Sequence, residues 1–456
     1  MNIRANIDES LAIDPVEAAL MDLARSIQLT PTMHREATRR YESLAEYVDR
    51  EGSPLQDEVK EVYPSGSFAI HAAIRSDIKR EQHDVDAVLE ILVAQDADPA
   101  TVLDALEKAI VGESGGGYRG REVERNSRCI TVHYTDGVTV DLMPVVRLPN
   151  TPERVANLFH HNEEKGESYR KQVNPKGFAN HFNEVVEISA EFAKRFDTRR
   201  FIVEGATYAE QLVRDLNAPS EVLTEKAETQ PMPDFLPLDQ KAPRVVALQI
   251  LKRFRDKRYR KHDDHRGQRK PPSVVMAALA LEATPIAPTL TDELIAVAET
   301  IRNAIVAADL AGRKLEVRNP AHEEDIFTDR WPEDRHAQRL WAADLIHLVN
   351  SLRLLKAKGF DPVSVKKTFD DLFGEDIADR VLEEHYRVHN AAVLSGNSKM
   401  THDGRPVSPA VPARPTSPRH PRPSTPAIIG GAAASGLITP ARANTSMGGV
   451  IPDDDH

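Results

Sequence analysis

The sequence predicts an α+β protein: a small mixed sheet with N-terminal helices, an all-helical second lobe, and a disordered C-terminal tail. Three observations carry this. Strand-like alternation is confined to "HDVDAVLEILV" from His83 and "RCITVHYTDGVTVDLMPVV" from Arg128. From Thr151 onward helical spacing takes over. From about Gly396 the chain is dominated by Pro, Ser, Thr, Ala and Gly and cannot bury enough apolar surface to fold alone. A length of 456 residues exceeds what one core usually supports, so the expected division is 1–195, 196–395 and 396–456.

Taken in order, "DPVEAALMDLARSIQL" and "TMHREATRRYESLAEYVDRE" carry apolar residues at three- and four-residue spacing, with Asp14 and Thr32 as expected N-caps. In "HDVDAVLEILV" Val85, Ala87, Leu89 and Ile91 share one face, and Asp84, Asp86 and Val88 the other. A helix is expected near Thr101 to Val111. The stretch from Arg128 then reads as a hairpin, with Asp136-Gly137 suiting a two-residue type I′ turn. Helices are expected around Phe178, Tyr208, Val245, Leu294, Leu340 and Val381.

Composition narrows the function. Lys+Arg number 59 against 71 Asp+Glu, so the chain lacks the net basic field of a protein that coats nucleic acid, and no nucleic-acid partner is required. Any anion site must be local. A single cysteine, Cys129, excludes an internal disulfide framework and a cysteine-built zinc site, and fits a reducing cytoplasm. The longest apolar run, Val274 to Leu281, is short of the ~20 residues a spanning helix needs, so no membrane association is expected.

The chemistry concentrates in "YPSGSFAIHAAIRSDIKREQHDVDAVLEI" from Tyr63. Residues two apart on a strand project to the same side about 6.6 Å apart, so Asp84 and Asp86 reach one small space. Two like charges there call for cations, and hard oxygen ligands favour Mg2+, with Mn2+ possible, completed by substrate phosphates. Upstream, Gly66 lets backbone amides approach a phosphate and Ser67 adds a hydroxyl. The hairpin supplies a third carboxylate, Asp141, on the face of Thr139 and Met143. On its own an Asp-x-Asp is usually a solvated turn or strand edge. The Gly-Ser turn, the alternation behind the pair and the third Asp are the context that reverses this, pointing to nucleotidyl transfer on two metal ions.

G-S-F, then D-V-D, then a hairpin Asp before M-P resembles the Pol β-like nucleotidyltransferases. The wording is similar to the bacterial CD-NTases, relatives of cyclic GMP-AMP synthase found in anti-phage systems. "NPKGFANHF", "LKRFRDKRY", "KPPSVVMAALAL" and "VRNPAHEEDIFTDRW" agree, extending the likeness to about Ser395. The resemblance implies a cytoplasmic bacterial enzyme that joins nucleoside triphosphates, ATP among them, into a cyclic di- or trinucleotide. It also implies that Lys252 holds the donor triphosphate and that Ser273 assists. Two departures bear on acceptor-side contacts and leave the metal ligands as they are: His71-Ala72 stands where the family often has Gly-Thr, and Ser65 where it has Gln. Rival outcomes are a linear oligonucleotide or RNA/protein nucleotidyltransferase, or a degenerate domain that only binds nucleotides.

From the residues alone, Lys252, Arg255 and Tyr259 form a basic, solvated face on their helix. "HDDH" from His262 reads as an exposed loop, His160-His161 as helical, "GESGGGYRGRE" as a flexible connection and Cys129 as core. The tail's apolar islands, Ile428-Ile429 and Leu437-Ile438, are candidate anchors for a partner, and some CD-NTases work with peptide-capturing HORMA proteins.

Overall fold

The computed structural model describes residues 14–75, 83–112, 118–152, 154–196, 228–261, 265–284, 287–358, 361–394, 399–400 and 406–407. The tail islands, Tyr208 and most of HDDH lie outside them. Asp14 caps α1 (Pro15–Ser26) by accepting from the amides of Val16 and Glu17. Thr30, not Thr32, caps α2 (Pro31–Val48) by accepting from the Met33 amide. Pro31 fixes that start, because proline suits the first helical position, where the missing N–H is not needed.

The strands of the sheet follow. β1 (Val59–Ser65) leads through a four-residue helical turn, α3 (Gly66–Ala69), toward β2 (His83–Ile91), which pairs antiparallel with β1. After α4 (Pro99–Val111) come β3 (Val123–Arg125), β4 (Ile130–His133) and β5 (Val138–Arg147), and β5 runs parallel to β2. A parallel pair needs a long crossover, which α4 with β3 and β4 provides. β8 (Glu228–Thr229) adds to the far side of β1, giving the order β3-β4-β5-β2-β1-β8. One face, bearing Val62, Val85, Ala87, Leu89, Val140 and Leu142, packs on Tyr41, Leu44, Leu106 and Ile110 of α2 and α4.

The β4–β5 connection differs from a type I′ turn. Tyr134 donates to the Val138 carbonyl at 2.9 Å and Gly137 to the Tyr134 carbonyl at 3.1 Å, closing a three-residue loop in which Gly137 alone has positive φ, at 88°. That is a type I turn followed by a left-handed glycine.

The stretch after Thr151 is not purely helical: β6 (Ala156–Asn162) and β7 (Glu167–Val173) form an antiparallel hairpin continuing from β5, so His160-His161 lie on a strand. Polar residues occupy both sides of Asn162 to Gln172, which erases the alternation that betrays a half-buried strand.

The rest is helical: α5 (Pro175–Val185), α6 (Pro243–Lys261), α7 (Ser273–Leu281), α8 (Leu290–Leu310), α9 (Arg335–Lys358), α10 (Pro362–Phe373) and α11 (Glu375–Leu394), with a short pair of β9 (Arg318–Asn319) and β10 (His322–Ile326). α1 joins this core rather than the sheet: Leu20, Leu23 and Ile27 pack with Leu248, Phe254 and Leu294. Its buried Glu17 accepts from the amides of Leu290 at 2.7 Å and Thr291 at 2.9 Å, placing a carboxylate on the positive end of α8. The sequence-expected α+β architecture holds. Among the described residues, no helix is long and apolar enough to cross a membrane.

Candidate active site

The register brings the three aspartates together. Asp86 pairs with Ser65 of β1 on one side and with Asp141 of β5 on the other, while Asp84 pairs with Thr139. Adjacent strands lie about 4.8 Å apart, so Asp86 and Asp141 are neighbours on one sheet face. Threonines fix the outer two: Thr139 Oγ1 donates to Asp84 Oδ1 at 2.6 Å, and Thr131 Oγ1 to Asp141 Oδ1 at 2.5 Å. Asn126 Nδ2 in turn donates to Thr131 Oγ1 at 3.0 Å. Sequence reasoning passed over these hydroxyls, although Thr139 and Asp141 alternate onto the same face.

Asp86 sits at the centre and is the most perturbed. Burial, then the charges of Asp141 and Asp84, push its carboxyl up to about 7, against the pull of Lys252 and of a hydrogen bond from the Ser67 amide. Burial likewise raises Asp141, opposed by its Thr131 hydrogen bond and reinforced by Asp84.

The Gly-Ser turn closes directly over Asp86. Gly66 has φ +56°, and a Cβ there would lie 2.0 Å from Asp86 Oδ2, so both backbone and space require glycine. His71 also adopts a left-handed conformation, φ +55°, a region that glycine enters at least cost.

Lys252 is not on a solvated face. It is 6% exposed, Arg255 3% and Asp256 8%, because α6 is buried on nearly every side. Lys252 Nζ donates to the Ala72 carbonyl at 2.9 Å, and burial, then Arg255, lower its pKa to about 8. One turn earlier, Gln249 Nε2 donates to the Ala73 carbonyl at 2.9 Å and pairs with Gln28, which also accepts from Lys241 at 2.7 Å. α6 thus grips residues 72–73 just beyond the Gly-Ser turn. Ser273 opens α7, which packs against the 66–69 turn, and its hydroxyl accepts from Arg255 Nη1 at 3.0 Å.

The other eye-catching residues are structural or peripheral. His265 is buried against Asp344 at 2.7 Å and stacks on Tyr259, so it is not loop-exposed. His160 stacks on Tyr169, and its Nδ1 accepts from Arg128 at 3.0 Å. Cys129 is half-buried ahead of β4 rather than within it, and burial, then the charges of Asp141 and Asp86, raise its thiol pKa. In the Gly-rich loop, residues 113–117 lie outside the described residues.

The donor set suits a hard divalent cation. It is all oxygen, and burial with the charges of Asp141 and Asp84 holds the Asp86 carboxyl above its ordinary value. Among the described residues no three acidic, His or Cys side chains converge as a finished metal cage. Asp84 and Asp141 are each turned onto a threonine, and magnesium is ordinarily completed by substrate phosphates.

The profile of the Second Messenger Oligonucleotide or Dinucleotide Synthetase domain matches residues 15–185, from α1 through α5. The chain is 31% identical over 435 residues, 95% of each protein, to the cyclic dinucleotide synthase CdnG of Bradyrhizobium diazoefficiens. It is similar to the structure of that CD-NTase in complex with GTP, with TM-score 0.65, 30% identity, 82% of this chain and 100% of that chain covered. A Gly-Ser turn over a carboxylate triad, within a match spanning nearly the whole of both chains, places this protein in the CD-NTase family of nucleotidyltransferases.

Proposed function

We propose that the chain joins nucleoside triphosphates, GTP among them, into a cyclic dinucleotide signal of anti-phage defence, with Asp84, Asp86 and Asp141 holding two magnesium ions. The register that sets Asp86 between Ser65 and Asp141 carries the reading of the site, and the full-length likeness to CdnG supports the product class.

The ions, when bound, neutralise the triphosphate and lower the pKa of the attacking ribose hydroxyl. The protein does the rest. The exposed Gly66 and half-buried Ser67 offer amide and hydroxyl donors to the donor phosphates. Lys252 exchanges the Ala72 carbonyl for a phosphate oxygen, and Ser273 presents its hydroxyl at the N-terminus of α7. Asp141, oriented by Thr131, stands where the acceptor hydroxyl gives up its proton. The ribose oxygen bonds to the α-phosphorus as the bond to the β-phosphate breaks and pyrophosphate leaves. A second such transfer closes the ring and releases a second pyrophosphate. In this reading residues 1–195 contribute the metal site and 196–395 the donor clamp, while the tail from residue 396 docks a peptide-capturing HORMA-type regulator.

The test is incubation of the purified protein with labelled GTP and ATP, singly and together, in magnesium, followed by phosphatase and nuclease mapping. A phosphatase-resistant dinucleotide is expected. A phosphatase-sensitive chain marks a linear-oligonucleotide enzyme, and no turnover marks a nucleotide-binding module.

A further inference from the structure

The hydrogen bond that holds Asp141 has a supplier of its own. Thr131 Oγ1 carries one proton, and it goes to Asp141 Oδ1 at 2.5 Å because Asn126 Nδ2 donates to the same oxygen at 3.0 Å. An Asn126 side chain turned the other way would present its carbonyl oxygen and compete for that proton. The aim of Asn126 therefore decides whether Asp141 is held. Asn126 opens the connection from β3 to β4, which closes through its amide on the Cys129 carbonyl at 2.9 Å. Neither Ser127 nor Arg128 adopts the positive φ of the primed turns that suit a two-residue hairpin, so local turn chemistry does not hold this tip. Contacts from outside do. The Ser127 carbonyl accepts from the His161 amide at 2.9 Å, and Arg128 reaches Asp329 at 2.5 Å, the Tyr169 hydroxyl at 3.1 Å and His160 Nδ1 at 3.0 Å. Asp329, which also lies 3.2 Å from Lys171, belongs to the segment "VRNPAHEEDIFTDRW" between α8 and α9.

Partners standing behind a metal ligand set its aim, and one misdirected link among them releases the ligand. Resting on the proposed nucleotidyl transfer, we propose that Arg128, anchored on Asp329, is a positioning residue for Asp141: it sets the 126–129 connection, and through Asn126 and Thr131 it holds the Asp141 carboxylate in line with Asp84 and Asp86. The segment between α8 and α9, outside the sheet, thereby contributes to the geometry of the metal site.

The experiment compares the full-length wild type with Arg128→Met, Thr131→Val and the double variant. Methionine keeps much of the volume of arginine, and valine replaces the threonine hydroxyl by a methyl group. Transfer from labelled GTP and ATP in saturating magnesium gives kcat and the donor KM, manganese titration followed by paramagnetic resonance gives metal affinity without substrate, and thermal melts give stability. Arg128→Met is expected to lower kcat about ten-fold and Thr131→Val about ten- to a hundred-fold, with the donor KM unchanged, and each should weaken manganese binding about ten-fold. In the double variant kcat and manganese affinity should be no lower than in Thr131→Val, whereas the losses of melting temperature should add, since only the relay is shared. Arg128→Lys, which still pairs with Asp329, should recover part of both. Asp329→Asn should repeat the Arg128→Met losses, and it carries the comparison if Arg128→Met does not fold. Losses of kcat that multiply in the double variant overturn the inference, as does a lower melting temperature in Arg128→Met with kcat and manganese affinity unchanged; the pair then only fastens the α8–α9 segment to the sheet. If the wild type forms no phosphodiester, the nucleotidyltransferase reading fails, and the manganese affinities decide the positioning by the same comparison.

Discussion

A Cβ placed on Gly66 would lie 2.0 Å from Asp86 Oδ2, so the Gly-Ser turn and the central carboxylate of the three aspartates occupy mutually dependent positions. Gly66→Ala must either displace Asp86 or unwind the turn, and the residue's φ of +56° adds backbone strain. The expected cost is about 1–3 kcal/mol of stability. Activity should fall by at least about a hundred-fold, since misplacement by an ångström is enough for that. Thermal melts and initial rates of product formation measure both; near wild-type activity would break the link between turn and triad.

The raised pKa of Asp86 makes a prediction about the metal-free protein. A carboxyl held at about 7 when folded, against its ordinary 3.8 when unfolded, contributes stability below pH 4 that is lost as pH rises through 7. Asp86→Asn escapes that loss. The variant should therefore melt higher than the wild type at pH 8 without magnesium, by roughly 2–4 kcal/mol after allowance for solvent screening, and the advantage should vanish near pH 4. Magnesium should narrow the gap at pH 8 by stabilising only the wild type. Equal melting at pH 8 would show that the aspartate cluster is not under electrostatic stress.

Lys252 is buried and bonded to Ala72, so its role is best tested with a side chain that keeps its volume. Lys252→Met should hold the melting temperature to within a few degrees and raise the donor KM at least about ten-fold. In the wild type the donor KM should climb as pH passes about 8 and the ammonium loses its proton, a rise the methionine variant lacks. Parallel pH profiles for the two would mean that Lys252 only fastens α6 to the chain at Ala72.

What could be read in advance was local. The alternation of β2 and β5 put Asp84, Asp86 and Asp141 on one face because a period of two needs no tertiary knowledge. The hydroxyls of Thr139 and Thr131 on those carboxylates depend on inter-strand register, which sequence spacing does not specify. Lys252 was assigned to solvent because its helix carries eight Lys and Arg residues, yet several of them are held by distant partners, Arg253 by the Phe373 carbonyl and Arg258 by Asp344. The β6–β7 hairpin was missed because its polar residues show no period.

Truncation after Val407 should leave basal product formation unchanged, because every residue assigned to the metal and donor sites precedes it. The same truncation should abolish association with, or activation by, a regulator that captures the tail. Loss of basal activity with the fold intact would put the tail in the active site.

The central claim is that Asp84, Asp86 and Asp141 together run nucleotidyl transfer, and single-turnover rates of phosphodiester formation in magnesium test it most directly. Asp84→Ala, Asp86→Ala and Asp141→Ala should each lower the rate by about a thousand-fold or more while the protein still melts cooperatively, since each removes a ligand from one metal-dependent unit. Product formation at a substantial fraction of the wild-type rate in any of the three, with magnesium saturating, would contradict the account.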